Sequence, residues 1–340
     1  MDPVDEKEIQ YYPWNDYSVD YSLLCNNIRN TIEQFDGPII IHNGIGGGLG
    51  HKFISLATSI TISLLMKRKL YCKILDRNEL CVVYMFDTYW MSSNNCFRHM
   101  KFNNQSADYQ SLPNYEICSQ THSCYNSVNN MKNVIFQDNR QFSILDPIQM
   151  NMSVINKINK LNIGYVFRSV DEYLTIIYRL LANPTNSLLK VVIEDISRLQ
   201  SSYTAIHLRT GGKLANKKEQ TCWVSEDELP KVTTYIKKTI IQEKLDTTVF
   251  LSTDSDIAEQ YLKQNLPDIN FIPRRSYQRF HSTTKNNYSS FEGAIYDYFI
   301  AAEAKQIFFS KGSGFSKIVL QLTKAKKKYS IPTKRRIIKI

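Results

Sequence analysis

Apolar residues along this chain fall into two alternating patterns: short unbroken runs, and longer stretches in which they recur every three or four positions. The first pattern reads as buried strand and the second as a helix packed by one face. Residues 20–35 have the helical period and stop before Asp36-Gly37-Pro38, after which Ile39-Ile40-Ile41-His42 reads as a buried parallel strand. A Gly-rich turn, Asn43-Gly44-Ile45-Gly46-Gly47-Gly48-Leu49-Gly50, leads into an apolar stretch from Phe53 to Met66 that reads as a buried helix. Lys69 to Leu75 then reads as a second strand, closed by Asp76. This is a βαβ beginning. From Asp87 to about Asn151 the chain is rich in Ser, Asn, Gln and aromatics with weak periodicity, which predicts irregular, surface-lining structure rather than a regular sheet.

A helix over Val170 to Leu181 ends at Ala182-Asn183-Pro184-Thr185-Asn186, a breaker that marks a domain boundary. It divides the chain into an amino-terminal lobe, 1–182, a second lobe, 183–325, and a basic tail, 326–340. The second lobe opens with a helix from Ser187 to Leu199 and an apolar strand at Tyr203-Thr204-Ala205-Ile206-His207-Leu208. There follow a strand from Thr248 to Ser252, a helix from Ile257 to Asn265 and a short strand from Asn270 to Ile272. A helix from Glu292 to Ala304, a strand from Gln306 to Phe309 and a final helix from Phe315 complete it. Such alternation predicts an α/β fold: two Rossmann-type lobes with mostly parallel sheets covered by helices and facing across a cleft.

Composition bounds the class. A chain of 340 residues, 43% hydrophobic and 22% charged, fits two globular domains. The net charge of +10 suggests nucleic acid until it is located. From 324 to 340 there are eight Lys and Arg residues and no acid, so the rest is nearly neutral. The tail reads as a solvated end, with an anionic membrane surface or nucleic acid as the sharper alternative. No nucleic-acid partner is expected.

Seven cysteines without a CxxC pair indicate neither a zinc site nor a complete disulfide framework. Cys118 and Cys124 read as residues of a Ser/Asn/His-rich loop. The acidic start at Met1-Asp2-Pro3 has no apolar core of the kind a signal peptide requires, and Phe53 to Met66 falls short of the ~20 residues of a membrane span. The expected compartment is cytoplasmic.

Four strand ends carry candidate chemistry: the Gly-rich turn, His207-Leu208-Arg209-Thr210-Gly211-Gly212, Thr253-Asp254-Ser255-Asp256, and Ser310-Lys311-Gly312-Ser313-Gly314-Phe315-Ser316. Open α/β sheets bind ligands outside the carboxyl ends of their strands. Arginine's planar fork matches a phosphate. Small residues at a strand-to-helix turn expose backbone N–H groups at a helix N-terminus, a ready anion site. Asp254 reads either as a carboxylate that accepts from a guanine or holds a ribose, or as the N-cap of the next helix. Asp254-Ser255-Asp256 is formally a DxD that would bind Mg²⁺ or Mn²⁺. The Gly-rich turn fails the dinucleotide fingerprint, because Leu49 and His51 stand where glycine is required, and no Gly-Lys-Ser/Thr follows.

With these pieces in order, the chain resembles the superfamily of α1,2-, α1,6- and protein O-fucosyltransferases of the GT-B fold. The matching motifs are Gly47-Gly48-Leu49-Gly50-His51, His207-Leu208-Arg209, Ser252-Thr253-Asp254-Ser255 and Gly312-Ser313-Gly314-Phe315-Ser316, covering about 40–75 and 185–322. The resemblance implies a donor, GDP-fucose, no other cofactor, no metal, and a glycan or glycoprotein acceptor. It implies that Arg209 neutralises the β-phosphate of the leaving GDP and that His207 and Asp254 seat the nucleotide. Ser313, Gly314, Phe315 and Ser316 would line the diphosphate, and Gly48, Gly50 and His51 would contact substrate. His51 replaces the family's usual Asn, and Thr210-Gly211-Gly212 replaces a second Arg or an acid.

The reaction expected is an inverting in-line displacement, with Glu219 as the base and Glu226 and Asp227 as alternatives. Rival readings are a metal-dependent transferase using Asp254 and Asp256, a non-catalytic nucleotide- or glycan-binding module, and an oxidoreductase on the first βαβ unit.

Overall fold

The computed structural model describes residues 19–35, 40–43, 49–73, 115–119, 133–137, 150–181, 186–199, 202–211, 214, 221–273, 288–333 and 336–337. The chain divides into two compact units, Met1–Asn186 and Ser187–Ile340.

In the first unit, α1 (Tyr21–Gln34) opens at Asp20, whose carboxylate accepts from the Leu23 N–H at 2.9 Å. Leu24, Ile28 and Ile32 fall four apart and are buried. Next come β1 (Ile40–Asn43), α2 (Leu49–Met66) and β2 (Leu70–Lys73). Residues Ala57 to Leu64 of α2 are buried on every side. The threonine hydroxyls that interrupt its apolar run are satisfied within the core. Thr58 donates to the Ile54 carbonyl at 2.7 Å and Thr61 to that of Ala57 at 2.8 Å, and the Thr61 hydroxyl also meets that of Tyr173 at 2.8 Å.

Two more strands, β3 (Tyr115–Ser119) and β4 (Asn133–Gln137), precede α3 (Met152–Asn159) and α4 (Val170–Leu181). The sheet order is β2-β1-β4-β3, parallel throughout. The sequence between 87 and 151 therefore does supply regular sheet, contrary to the irregular structure expected of it. Its strands have apolar centres of only two or three residues, too short to register as periodic, and their pairing partner is remote in sequence: Ile40 and Ile41 stand opposite Val134 and Ile135. Cys118 lies within β3 rather than in a loop.

The second unit contains α5 (Asn186–Arg198), β5 (Thr204–Leu208), β6 (Thr221–Cys222), α6 (Leu229–Gln242), β7 (Thr248–Thr253), α7 (Asp256–Asn265) and β8 (Asn270–Phe271). It continues with α8 (Tyr288–Glu303), β9 (Gln306–Ser310), α9 (Gly314–Leu322), β10 (Lys327–Ile331) and β11 (Arg336–Ile337). Five strands form one parallel sheet in the order β10-β9-β5-β7-β8, and β11 pairs antiparallel with β6.

Every residue of β5 is buried. Ile206 and Leu208 pack with Val249, Leu251 and Phe308 against Val232, Ile236 and Ile240 of α6 and Ala258 and Leu262 of α7. The alternate residues Ala205, Phe250 and Ile307 are buried as well, with the Phe250 ring edge-to-face on Tyr296 of α8 at 6.3 Å. Helices thus cover both faces, the arrangement that makes parallel strands apolar throughout.

Two features were not read from the pattern. Helix α6 buries Leu229, Val232, Thr233, Ile236 and Ile240 at helical spacing, and Pro230 sits in its first turn, where proline starts helices rather than breaking them. The segment expected to be a solvated basic tail is in part a strand. Lys327 to Ile331 pair in parallel with Gln306 to Ser310, with the lysines exposed and Ile331 only 1% exposed. The lysines explain both readings, since charged side chains suit the edge of a sheet.

The path of the chain fixes where a ligand would enter. From β5 it proceeds to β7 and β8 on one side, then returns to β9 on the other side of β5 and continues to β10. The connections leaving β5 and β9 diverge, so a crevice opens outside their carboxyl ends.

Candidate active site

Arg209 is the first residue past β5, and three groups from three other segments hold it and the turn that follows. Ser310, the last residue of β9, accepts from the Arg209 backbone N–H at 2.9 Å and bonds the His207 carbonyl at 3.3 Å. Asp254, the first residue past β7, accepts from the guanidinium through Oδ2. The same carboxylate accepts from the Thr210 N–H and hydroxyl, both at 2.8 Å, and from the Gly211 N–H at 3.1 Å. Trp223, just past β6, lies with its ring 5.3 Å from the guanidinium carbon, within cation–π range.

These bonds decide what Asp254 can do. An ionised carboxylate offers about four lone-pair positions, and here two donors reach each oxygen. Its side chain is 7% exposed and that of Arg209 is 19% exposed. Burial would raise the Asp254 pKa, but the Arg209 charge and the donors of Thr210 and Gly211 outweigh it and hold the carboxyl below its ordinary value. Asp254 is not the N-cap of α7; Ser255 is, its hydroxyl accepting from the Ala258 N–H at 3.2 Å. The carboxylate acts on the arginine loop.

Gly211 has φ +62, and a Cβ there would stand 2.3 Å from the Thr221 carbonyl oxygen and 3.1 Å from Cε3 of Trp223. Only glycine fits both the backbone conformation and that approach.

Across the crevice, α9 begins at Gly314 after the turn Lys311-Gly312. Its first intrahelical bond runs from the Lys317 N–H to the Ser313 carbonyl at 3.0 Å, so the N–H groups of Gly314, Phe315 and Ser316 precede the ladder. Ser313 occupies the N-cap position without a side-chain cap bond, and the first turn holds no acid. The end of this helix is therefore suited to an anion.

His207 and Phe315 fix the helix in place. The buried His207 ring meets the Ser316 hydroxyl through Nδ1 at 2.6 Å and stacks on Phe315 at 4.3 Å, and Phe315 stacks on Tyr298 at 4.0 Å. Burial pushes the His207 pKa down to about 3; the Asp254 charge opposes this and the Arg209 charge adds to it, so the ring is neutral near pH 7.

Of the residues singled out by sequence, the structure gathers His207, Arg209, Asp254, Ser313, Gly314, Phe315 and Ser316 at one end of one sheet. Gly50 and His51 stand in the first turn of α2 and belong to the other unit. Gly47, Gly48 and Glu219 lie outside the described residues. Glu226 and Asp227 are exposed on a one-turn 3-10 helix whose third acid, Glu228, accepts from the Ser225 N–H at 2.9 Å. Asp256 is exposed at the start of α7, and no group of three or more His, Cys, Asp or Glu able to hold a metal ion gathers among the described residues. No helix among them is long and apolar enough to cross a membrane.

Sequence reasoning missed Trp223. Its one signal is the short apolar run Cys222-Trp223-Val224 after a polar loop, too brief to suggest a site.

No protein-family model matches the chain, and no curated protein matches it in sequence. Among solved structures, a mutant of FUT1 from Arabidopsis thaliana in complex with GDP superposes with a TM-score of 0.55, covering 88% of this chain and 72% of that one at 14% identity. NodZ α-1,6-fucosyltransferase soaked with GDP-fucose gives 0.49 over 85% and 93% at 15% identity. POFUT1 in complex with GDP gives 0.47 over 87% and 98% at 10% identity. The likeness to FUT1 is one of fold: this chain shares with it an α/β architecture built on parallel sheets.

Proposed function

We propose that this chain is a glycosyltransferase that moves a sugar from a GDP-sugar, fucose from GDP-fucose, to a hydroxyl of a glycan or protein. The observation that carries the reading is the pairing of Arg209 with the uncapped N-terminus of α9 at the switch point between β5 and β9. A diphosphate fits between a permanent cation and a helix N-terminus, each favouring negative charge. The choice of guanine is supported by the shared fold, since the FUT1 structure is a GDP complex.

In the reaction, the acceptor oxygen bonds to the anomeric carbon while the bond from that carbon to the β-phosphate oxygen breaks on the opposite face, inverting the configuration. The acceptor proton passes to a carboxylate, for which Glu219 is the candidate. The charge that builds on the departing diphosphate is met by Arg209, by the Ser313 hydroxyl and by the N–H groups of α9. His207 and Phe315 contribute by fixing that helix, and Asp254 by fixing the arginine. A charge supplied by arginine makes a metal unnecessary.

Release of GDP from GDP-fucose in the presence of an acceptor mixture tests this. Turnover is expected to persist in excess EDTA and to fall by about 100-fold or more in Glu219→Gln, the scale of a lost general base. Loss of activity in EDTA, restored by Mg²⁺ or Mn²⁺, would favour the metal-dependent reading instead.

A further inference from the structure

We infer that Trp223 is a positioning residue that acts through Arg209, and that the carboxy-terminal strand β11 holds it in place. The Asp254 carboxylate accepts from one end of the guanidinium fork, and the indole ring centre lies 5.3 Å from its central carbon, so both contacts restrain the same group. Together the two contacts leave the long arginine side chain little rotational freedom. They reduce the ordering that an incoming anion would otherwise have to impose.

The placement of the indole is built into the backbone. The Trp223 N–H donates to the Thr210 carbonyl at 2.8 Å, and the Val224 N–H reaches the same oxygen at 3.3 Å. Gly211 bridges to Cys222 in antiparallel fashion, and Thr221 and Cys222 pair on with Ile337 and Arg336. The arginine turn, β6 and β11 thus lie side by side, with β6 in the middle, and Trp223, 8% exposed, is the residue that follows β6. The lack of room for a Cβ at Gly211 fixes the spacing between turn and indole. Arg336 and Ile337 are in this way tied to a site far from them in sequence.

The consequence for ligand binding rests on the reading of Arg209 as a diphosphate ligand; the contact between indole and guanidinium does not. Two measurements on the full chain separate these. The first is the arginine Nε–H spectrum, with the Arg209 signal assigned by its loss in Arg209→Lys. It is expected to be displaced by the indole ring current and restricted in motion. In Trp223→Leu the displacement should vanish and the mobility rise, while Trp223→Phe retains part of both. An Arg209 signal unchanged in Trp223→Leu overturns the inference, whether or not GDP binds.

The second measurement replaces Trp223 by tryptophans carrying one, two and three fluorines, which weaken the ring's attraction for a cation without changing its shape. GDP affinity should fall stepwise, to about tenfold at the end of the series, the scale of an exposed-to-desolvated cation–π contact. In an Arg209→Met background, which carries no cation over the ring, the steps should flatten. Equal affinity across the series overturns the positioning role. A wild-type chain that binds no GDP overturns the proposed function and leaves the spectral result to decide the inference.

Discussion

At the scale of single residues, the site is a set of constraints on one arginine. Asp254→Ala removes the carboxylate that accepts from Arg209, Thr210 and Gly211, and leaves a largely buried cation without that partner; the expected loss of stability is about 2–3 kcal/mol, read from urea unfolding. Gly211→Ala should cost about 2 kcal/mol or more and should also weaken GDP binding, because the strain falls on the turn itself.

His207 makes a signed prediction with pH. Its folded pKa of about 3 lies below the ordinary 6.5, so between those values the unfolded chain takes a proton that the folded one refuses. The stability it contributes is full above pH 6.5 and is lost as pH falls, by up to about 1.4 kcal/mol per pH unit. Urea midpoints at pH 7 and pH 5 should therefore differ more in the wild type than in His207→Gln, whose amide stays neutral. An equal difference in the two proteins would place the buried histidine outside the pH response.

At the scale of elements, sequence pattern reached most of the longer strands and helices of the second unit, α6 and β10 excepted, because the buried strands are runs of apolar residues bounded by turn residues. Thr248–Thr253 and Gln306–Ser310 are of this kind. The motif residues at their ends were legible for the same reason: a strand's carboxyl end is a predictable place for a ligand. What was not legible depended on partners remote in sequence. Strands β3 and β4 exist by pairing with β1 and each other, and β10 by pairing with β9. The role of Asp254 depends on a turn 43–45 residues away, and that of Trp223 on a ladder that runs to residue 337. No local pattern encodes such contacts.

The ladder gives a prediction of its own. Proline at both 336 and 337 removes the backbone donors through which β11 pairs with β6. The five-stranded sheet should remain folded by circular dichroism while GDP affinity drops, and an unchanged affinity would show β11 to be dispensable to the site.

At the scale of the whole molecule, the two compact units predict how ligand binding appears in unfolding. GDP at a hundred times its Kd adds about 2.7 kcal/mol to whatever unit binds it. For a unit of this size that is a rise in midpoint of roughly 5–10 °C. Since Arg209, Asp254 and α9 all belong to Ser187–Ile340, calorimetry should resolve a transition that GDP raises and another, belonging to Met1–Asn186, that GDP alone leaves in place. The basic carboxy-terminal segment matters here too. Lys327 and Lys328 lie on an edge strand of the unit Ser187–Ile340, so part of the charge of this segment accompanies a structural element.

The central claim is that the crevice between β5 and β9 takes the diphosphate of a guanine nucleotide through Arg209. Calorimetric titration of GDP, UDP and NAD into the wild type and into Arg209→Ala tests it most directly. The expected result is selective binding of GDP by the wild type and a weakening of about 10- to 100-fold in Arg209→Ala, the worth of a charge-assisted contact to phosphate. Equal affinity for GDP in the two proteins, or preferential binding of UDP or NAD, would contradict it.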